Sequence, residues 1–370
     1  MDQAPQHFSK PNAGLPPLDP GASAMSPFEF MSPKLFYIPV VGYALYLMLK
    51  HRSITVPTLA NPAIFAGGAI GERKSDVLNL AGNYAKTHIA PFVVVDKGAA
   101  QATFENAMAA LSASEIAFPI VAKPDTGLRG AGVRPINTAA ELRAYIEDFP
   151  AQRTIMLQKK VEHSAEAGVF YIRRPKQPTG EIFSLTLKYT ATITGDGTRT
   201  IGDLIDACPR SFKLRDLYRT RHHAVLDHVL PKGEERAINF AGNHAKGAIF
   251  RDGAKHITPA MTHAFDTVAK DFPDLHFARF DVRFETLEKL KQGGAFDIVE
   301  VNGVGAEATH IWDCDMRFLE AYRVLMRQWR LAFEIGAANR QRPHQATPWR
   351  KLLKMWAKEM MRAQDYPMTH

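Results

Sequence analysis

The sequence predicts an α+β protein built from roughly two or three subdomains, and three observations lead there. The chain has 370 residues, 46% of them hydrophobic, which is enough to bury a sizeable core. From residue 91 onward, short runs of apolar or alternating residues are interleaved with stretches of helical spacing. In the middle and near the end those runs follow one another through turn residues, as antiparallel strands do.

Charged residues make up 23% of the chain, ordinary for a globular protein. The formal net charge is +8, with a pI of about 9.3. Such a balance suits nucleic acid, an anionic membrane surface or a polyanionic small molecule. The positive charge is spread along the chain with no recognition motif or aromatic stacking array, which argues against nucleic acid. Cys208 and Cys314 lack metal-type spacing and form no disulfide framework, so a reduced, cytoplasmic setting is expected.

Residues 1–33 are Pro/Gly-rich and weakly apolar, and read as a disordered tail without a signal peptide. Residues 34–115 form the next unit. It opens on LFYIPVVGYALYLML (35–49), the most apolar run, set between Lys34 and Lys50. About fifteen helical residues rise roughly 22 Å, short of a bilayer core of about 30 Å. Pro39 and Gly42 weaken the helix further, and four aromatic residues favour an interface. The run therefore reads as an interfacial or re-entrant anchor, or else as a buried helix. Gly67, Gly68 and Gly71 then precede a helix over 72–86, either an anion-binding turn or a plain one. A strand over 91–96 and a helix over 101–112 suggest a small α/β unit with parallel pairing.

Residues 116–195 carry a strand over 118–122 that runs into Lys123, followed by a loop with Gly127, Arg129, Gly130 and Gly132. A lysine at a strand end beside a glycine-rich loop suits polyphosphate, because small residues let backbone N–H groups approach. It is not a Walker loop, since no GK[ST] opens a helix. A helix over 139–149 and a strand over 154–161 follow, the latter carrying Gln158, Lys159, Lys160 and Val161. Glu162 and Glu166 are candidates for ribose hydroxyls, since an ionised carboxylate only accepts.

Residues 196–335 begin with GDGTRTIGDLIDACPR, a turn and a capped helix, and include a turn with Asn243, His244 and Lys246. A helix over 258–271 leads into HFARFDVRF and GGAFDIVEVNGVGAEATHIWD. Residues 277–284 and 296–301 alternate as half-buried strands. If they pair, Asp281, Glu300 and Asn302 share a face and form a hard-oxygen site suited to Mg²⁺ that carries phosphates. Arg279 lies on the same face, where it can neutralise a transferring phosphoryl group. Residues 336–370 end in a basic amphipathic helix with Trp349, Leu352, Leu353, Trp356 and Met360 at helical spacing. That helix suits either an anionic membrane surface or the protein's own core.

The ordered set FPIVAKPDTGLRGAGV, IMLQKKVEHSAEAGVFY, ARFDVRF and DIVEVNGVGAE resembles the ATP-grasp superfamily, in particular its carboxylate–amine ligases such as the D-alanine–D-alanine ligases. The GDGTRTIGDLI and GNHAKG segments resemble the ATP-grasp part of cyanophycin synthetases. The resemblance covers roughly residues 91–313. It implies an ATP-grasp fold, two α+β subdomains gripping ATP, with an abbreviated N-terminal α/β unit and terminal membrane-interface segments. It assigns Lys123, Gly127, Arg129, Gly130 and Gly132 to the phosphates and Gln158 to Val161 to the adenine slot. Glu166 matches the ribose carboxylate, with Glu162 competing, and Asn243 would lie near phosphate or metal. Asp281, Glu300 and Asn302 match metal ligands for two Mg²⁺, with Mn²⁺ an alternative, and Arg279 the transition-state arginine. GVGAEATHI stands where D-alanine ligases have a Ser-Pro-Gly turn, so Glu307 and His310 are expected to face the second substrate.

The expected activity is ATP-dependent amide formation between a carboxylate and an amine through an acyl phosphate. The alternatives are a kinase acting on a small molecule or lipid headgroup, and a nucleotide-binding membrane scaffold. The expected location is the cytoplasm, peripheral on the membrane's cytoplasmic face where both apolar segments act together.

Overall fold

The computed structural model describes residues 10–19, 21–127, 130–340, 344–362, 365–367 and 369. Arg129 of the glycine-rich loop lies outside them. In chain order the strands are β1 (Phe92–Asp96), β2 (Ile120–Pro124), β3 (Arg134–Ile136), β4 (Thr154–Lys159), β5 (Ala165–Ile172), β6 (Glu181–Tyr189), β7 (Thr192–Thr194), β8 (Glu235–Ala237), β9 (Ile249–Asp252), β10 (Phe277–Phe284) and β11 (Phe296–Asn302). They build a four-stranded sheet, order β1-β4-β2-β3, a five-stranded sheet, order β11-β10-β5-β6-β9, and a β7-β8 pair, all with antiparallel neighbours.

The smaller sheet is backed by the Ala100–Ala113 and Ala139–Asp148 helices, whose Ala107, Leu111, Leu142 and Ile146 join Ile120, Ala122, Ile155 and Leu157 in one core. The larger sheet is two-faced. Ala167, Val169 and Tyr171 of β5, Leu185 and Leu187 of β6, and Phe280 and Val282 of β10 pack toward the Pro259–Lys270 helix with its Met261, Phe265 and Val268. Side chains alternate across a strand, so Glu166, Thr186, Lys188, Arg279 and Asp281 are left on the opposite face. Strict alternation would turn Glu300 the same way as Ile298. A β-bulge between Asp281 and Val282 opposes Asp281 to Glu300 and Val282 to Ile298, with Val299 left over. The extra residue turns Ile298 into the helix-backed core while Glu300 and Asn302 join the polar face.

Several expectations are corrected. β1 pairs antiparallel with β4 inside the smaller sheet, not parallel as expected. The helix expected over 72–86 is two short ones, Lys74–Asn79 and Asn83–Lys86. Gly82 separates them in extended conformation and donates its N–H to Asp271 O at 2.8 Å. Between β10 and β11 the charged linker holds a helix, Leu287–Lys291, capped by Thr286. The stretch expected to be a disordered tail is packed from residue 10. Asn12 exchanges two hydrogen bonds with Thr190, and Glu29 is buried against Arg210. The apolar run forms two helices, Pro33–Phe36 and Ile38–Lys50. Phe36, Val40 and Leu47 face inward, and Leu35, Ile38, Val41, Leu45, Tyr46 and Leu49 face outward. Among the described residues no helix is long and apolar enough to cross a membrane.

Candidate active site

β10 and β11 place Asp281 directly opposite Glu300, and Arg279 opposite Asn302. The Asp281 carboxylate sits at the centre. Arg279 grips it with two bonds, Nε to Oδ1 at 2.9 Å and Nη2 to Oδ2 at 3.0 Å. Lys188 Nζ stands 2.9 Å from Oδ1, and Asn302 Nδ2 donates to Oδ2 at 3.2 Å. Burial pushes the Asp281 carboxyl up, but the Arg279 and Lys188 charges outweigh it and hold the group below the usual carboxylate range. Glu300 behaves alike: burial opposes ionisation, and Lys74 at 3.4 Å together with Lys123 restores it.

Lys123 enters from β2 of the smaller sheet and closes the site from the far side. Its Nζ donates to Gln158 Oε1 at 2.8 Å and to Val299 O at 3.0 Å. Val299 is the bulged residue, so the interruption that turns Glu300 also frees a carbonyl for this lysine. Burial lowers the Lys123 ammonium to about 8, with Glu300 pulling the other way.

The remaining expected residues fall as follows. Gly127, Gly130 and Gly132 form a loop beside Lys123, and Gly130 and Gly132 adopt positive φ, where glycine is at ease. Asn243 faces that loop, its Cβ 4.0 Å from where a Cβ on Gly130 would stand, while its side-chain oxygen caps Ala245 N–H. Gln158 is buried between Lys123 and Ala90 O, Lys159 is exposed, and Lys160 and Val161 are half-buried. Glu166 is buried, with Lys188 Nζ at 3.1 Å from one oxygen and Arg283 Nη2 at 2.9 Å from the other. Both oxygens are engaged by cations, and Glu162, the competing candidate, is exposed. Glu307 is half-buried, with Tyr37 Oη donating to one oxygen at 2.6 Å and Trp312 Nε1 to the other at 2.9 Å. Its carbonyl accepts from Arg279 Nη1 at 3.0 Å, which ties this corner to the carboxylate centre. His310 is buried, and its Nδ1 has no partner among the described residues.

The sequence reading missed Lys188 and Lys74. Lys188 had a signal: Ser184, Thr186 and Lys188 put a polar residue at every second position of an apolar strand. Lys74 lies in a mixed charged stretch and had none. Among the described residues, the Asp313, Cys314 and Asp315 ligand atoms also lie within 4.8 Å of one another. There the Asp313 carboxylate accepts from the backbone N–H groups of Asp252 and Asp315.

Two carboxylates and an amide on paired positions, ringed by Lys74, Lys123, Lys188 and Arg279, offer hard oxygens of the kind that suit a divalent cation beside positive charges that suit an anion. The motif order resembles the ATP-grasp superfamily, and a sequence match agrees with that resemblance. The relative matched is the cyanophycin synthetase of Synechocystis sp., 26% identical over 214 residues. The match covers 52% of this chain and 24% of that protein, so this chain corresponds to only part of its length. No protein-family model matches the chain. Among solved structures, a D-alanine–D-alanine ligase from Bacillus anthracis is similar over 72% of this chain and 70% of its own, with 13% identity and a TM-score of 0.40. The VanG D-Ala:D-Ser ligase from Enterococcus faecalis is similar over 75% and 64%, with 12% identity and a TM-score of 0.39. A bifunctional glutathione synthetase from Pasteurella multocida is similar over 69% and 36%, with 14% identity and a TM-score of 0.35.

Proposed function

We propose that the chain is an ATP-dependent carboxylate–amine ligase. The observation that carries this is the Asp281–Glu300–Asn302 set on one sheet facing Lys123 on the other. A substrate carboxylate oxygen attacks the γ-phosphorus of ATP, the bond to the β-phosphate oxygen breaks, and ADP leaves. The amine nitrogen then attacks the acyl carbon, phosphate leaves, and the amine gives up a proton. Lys123, Lys188 and Arg279 hold positive charge against the oxygens on which negative charge builds. The donor set fits Mg²⁺ or Mn²⁺, because it is all hard oxygen once the Asn302 amide presents its carbonyl. Asp281, Glu300 and Asn302 would hold the ions, which neutralise phosphate charge when bound.

Of the two residues expected near the second substrate, His310 is the better proton acceptor. Burial favours its neutral form and its Nδ1 is unpaired among the described residues, whereas both Glu307 oxygens already accept. Asp281→Ala and Glu300→Ala should each abolish ADP formation from pooled carboxylates and amines, and full turnover in either variant refutes the site. Hydroxylamine separates this from the kinase alternative: a hydroxamate marks an activated acyl group, a stable phosphorylated product a kinase.

We also infer peripheral attachment to an anionic membrane surface. The Ile38–Lys50 helix turns Ile38, Val41, Leu45, Tyr46 and Leu49 outward, flanked by exposed Lys34, Lys50 and Arg52. Ala346, just before the Trp349–Arg362 helix, packs against the same Leu47, Val56, Leu59 and Phe333 core as Tyr43 and Met48 of the Ile38–Lys50 helix. Leu45→Glu together with Trp356→Glu should release the protein from phosphatidylglycerol vesicles in a sedimentation assay; unchanged sedimentation refutes the attachment.

A further inference from the structure

Beyond the Trp349–Arg362 helix, Tyr366 and Thr369 lie against the glycine-rich loop. Tyr366 is buried, its ring 5.6 Å from that of Phe149, and its hydroxyl donates to Thr126 O at 2.8 Å. Asp365 pairs with Arg153 at 2.8 Å. Thr369 Oγ1 accepts from Gly132 N–H at 3.1 Å and donates to Gly130 O at 2.8 Å. The Thr369 carbonyl accepts from Arg221 Nε at 2.8 Å. Arg221 ends the Arg215–Arg221 helix and also donates to Lys246 O, on the turn that begins at Asn243. Thr369 thus links Gly130 and Gly132, through Arg221, to the turn at Asn243–Lys246.

A glycine-rich loop binds phosphate through its backbone N–H groups, and a single N–H serves one strong acceptor. Gly132 already spends its N–H on Thr369. We propose that this tail is an autoinhibitory strap that competes with the nucleotide's phosphates for the loop, and that an anionic lipid surface releases it by taking up the preceding helix. The proposal rests on the ATP-binding role of the loop given above.

The helix is built to be taken up. It turns only Leu352, Met355 and Glu359 toward the protein. Trp349, Leu353, Trp356 and Met360 are 51%, 55%, 54% and 46% exposed and lie along one outward stripe. Arg350, Lys351, Lys354 and Lys358 are exposed beside it. A Trp-bearing stripe edged by lysine and arginine matches the headgroup boundary of an anionic bilayer.

The test measures the Kd of a fluorescent ATP analogue for the full chain, for Thr369→Val and for Tyr366→Ala, each with phosphatidylglycerol vesicles, with phosphatidylcholine vesicles and alone. Thr369→Val removes the hydroxyl with little change of shape, so it reports even where Tyr366→Ala loosens the core. Without vesicles, Thr369→Val should bind about fivefold tighter, the worth of one net hydrogen bond. Phosphatidylglycerol should tighten the native chain and leave the variant nearly unchanged, while phosphatidylcholine should do neither. Equal or weaker binding by Thr369→Val overturns the strap. Vesicles that bind the protein without tightening the nucleotide overturn the lipid release. If no folded form binds nucleotide at all, the ATP-site reading itself fails, an outcome distinct from both.

Discussion

Lys123 gives the sharpest test, because its charge is poised by burial. Among the described residues its ammonium donates to neutral oxygens, Gln158 Oε1 and Val299 O, and burial brings it down to about 8. A phosphate oxygen set beside it would favour the charged form and return it toward the ordinary lysine value of about 10.4. Nucleotide binding near pH 9 should then take up about 0.9 proton, because the free lysine is mostly neutral there and the bound one charged. Affinity should fall roughly tenfold between pH 7 and pH 9, or about 1.4 kcal/mol. Calorimetric titration in buffers of different ionisation enthalpy measures both quantities. Lys123→Met is the control: it should bind weakly, with no proton uptake and a flat profile over this range. Stability gives a second readout with a fixed sign. The folded value lies below the unfolded one, so the unfolded chain holds more protons between about pH 8 and pH 10.4, and this lysine makes stability rise with pH across that window. A native protein that binds nucleotide equally at pH 7 and pH 9, without proton uptake, refutes the placement of Lys123 against phosphate.

Other perturbations test separate parts of the molecule. Lys188→Met leaves Asp281 and Glu166 each one cation short, so the variant should lose stability, and added Mg²⁺ should raise its Tm more than that of the native chain. Arg210→Met strands the buried Glu29 carboxylate and should cost about 3–5 kcal/mol by urea denaturation. Burial pushes the Glu29 carboxyl up but Arg210 and His244 outweigh it, so its folded value is lowered. Its stabilisation is therefore present above the ordinary glutamate range and lost as pH falls through the folded value, and acid titration of the variant should lack that loss. Gly68→Ala should destabilise by about 2–4 kcal/mol, since φ is +73° and the added Cβ would stand 2.6 Å from Gly303 Cα. Thermal melts of Gly68→Ala and Gly98→Ala decide this, because a Cβ on Gly98 meets nothing within 4 Å.

What the chain discloses in its letters follows from how far each interaction reaches. The β10–β11 hairpin is legible because side-chain alternation is local and its strands are close in sequence. The Asp281–Glu300 opposition follows from the pairing, but the bulge that secures it does not. Val299 is an ordinary strand residue, and only the helix-backed core on the other side of the sheet demands the shift at that point. Lys74 reaches Glu300, and Tyr37 reaches Glu307, across most of the fold, so neither contact leaves a local pattern. The N-terminal stretch misled for the same reason: its composition reads as disorder, while Glu29 finds Arg210 far along the chain. The parallel pairing expected of β1 failed because adjacency in sequence does not choose a partner, and β4 offered an open edge. Both halves of the site hang on that one irregularity of β11. Were Val299 paired opposite Asp281 as a regular strand residue, Glu300 and Asn302 would turn toward the Phe265 side and the carbonyl that holds Lys123 would be drawn into the ladder, so the carboxylate pairing and the lysine contact depend on the bulge together.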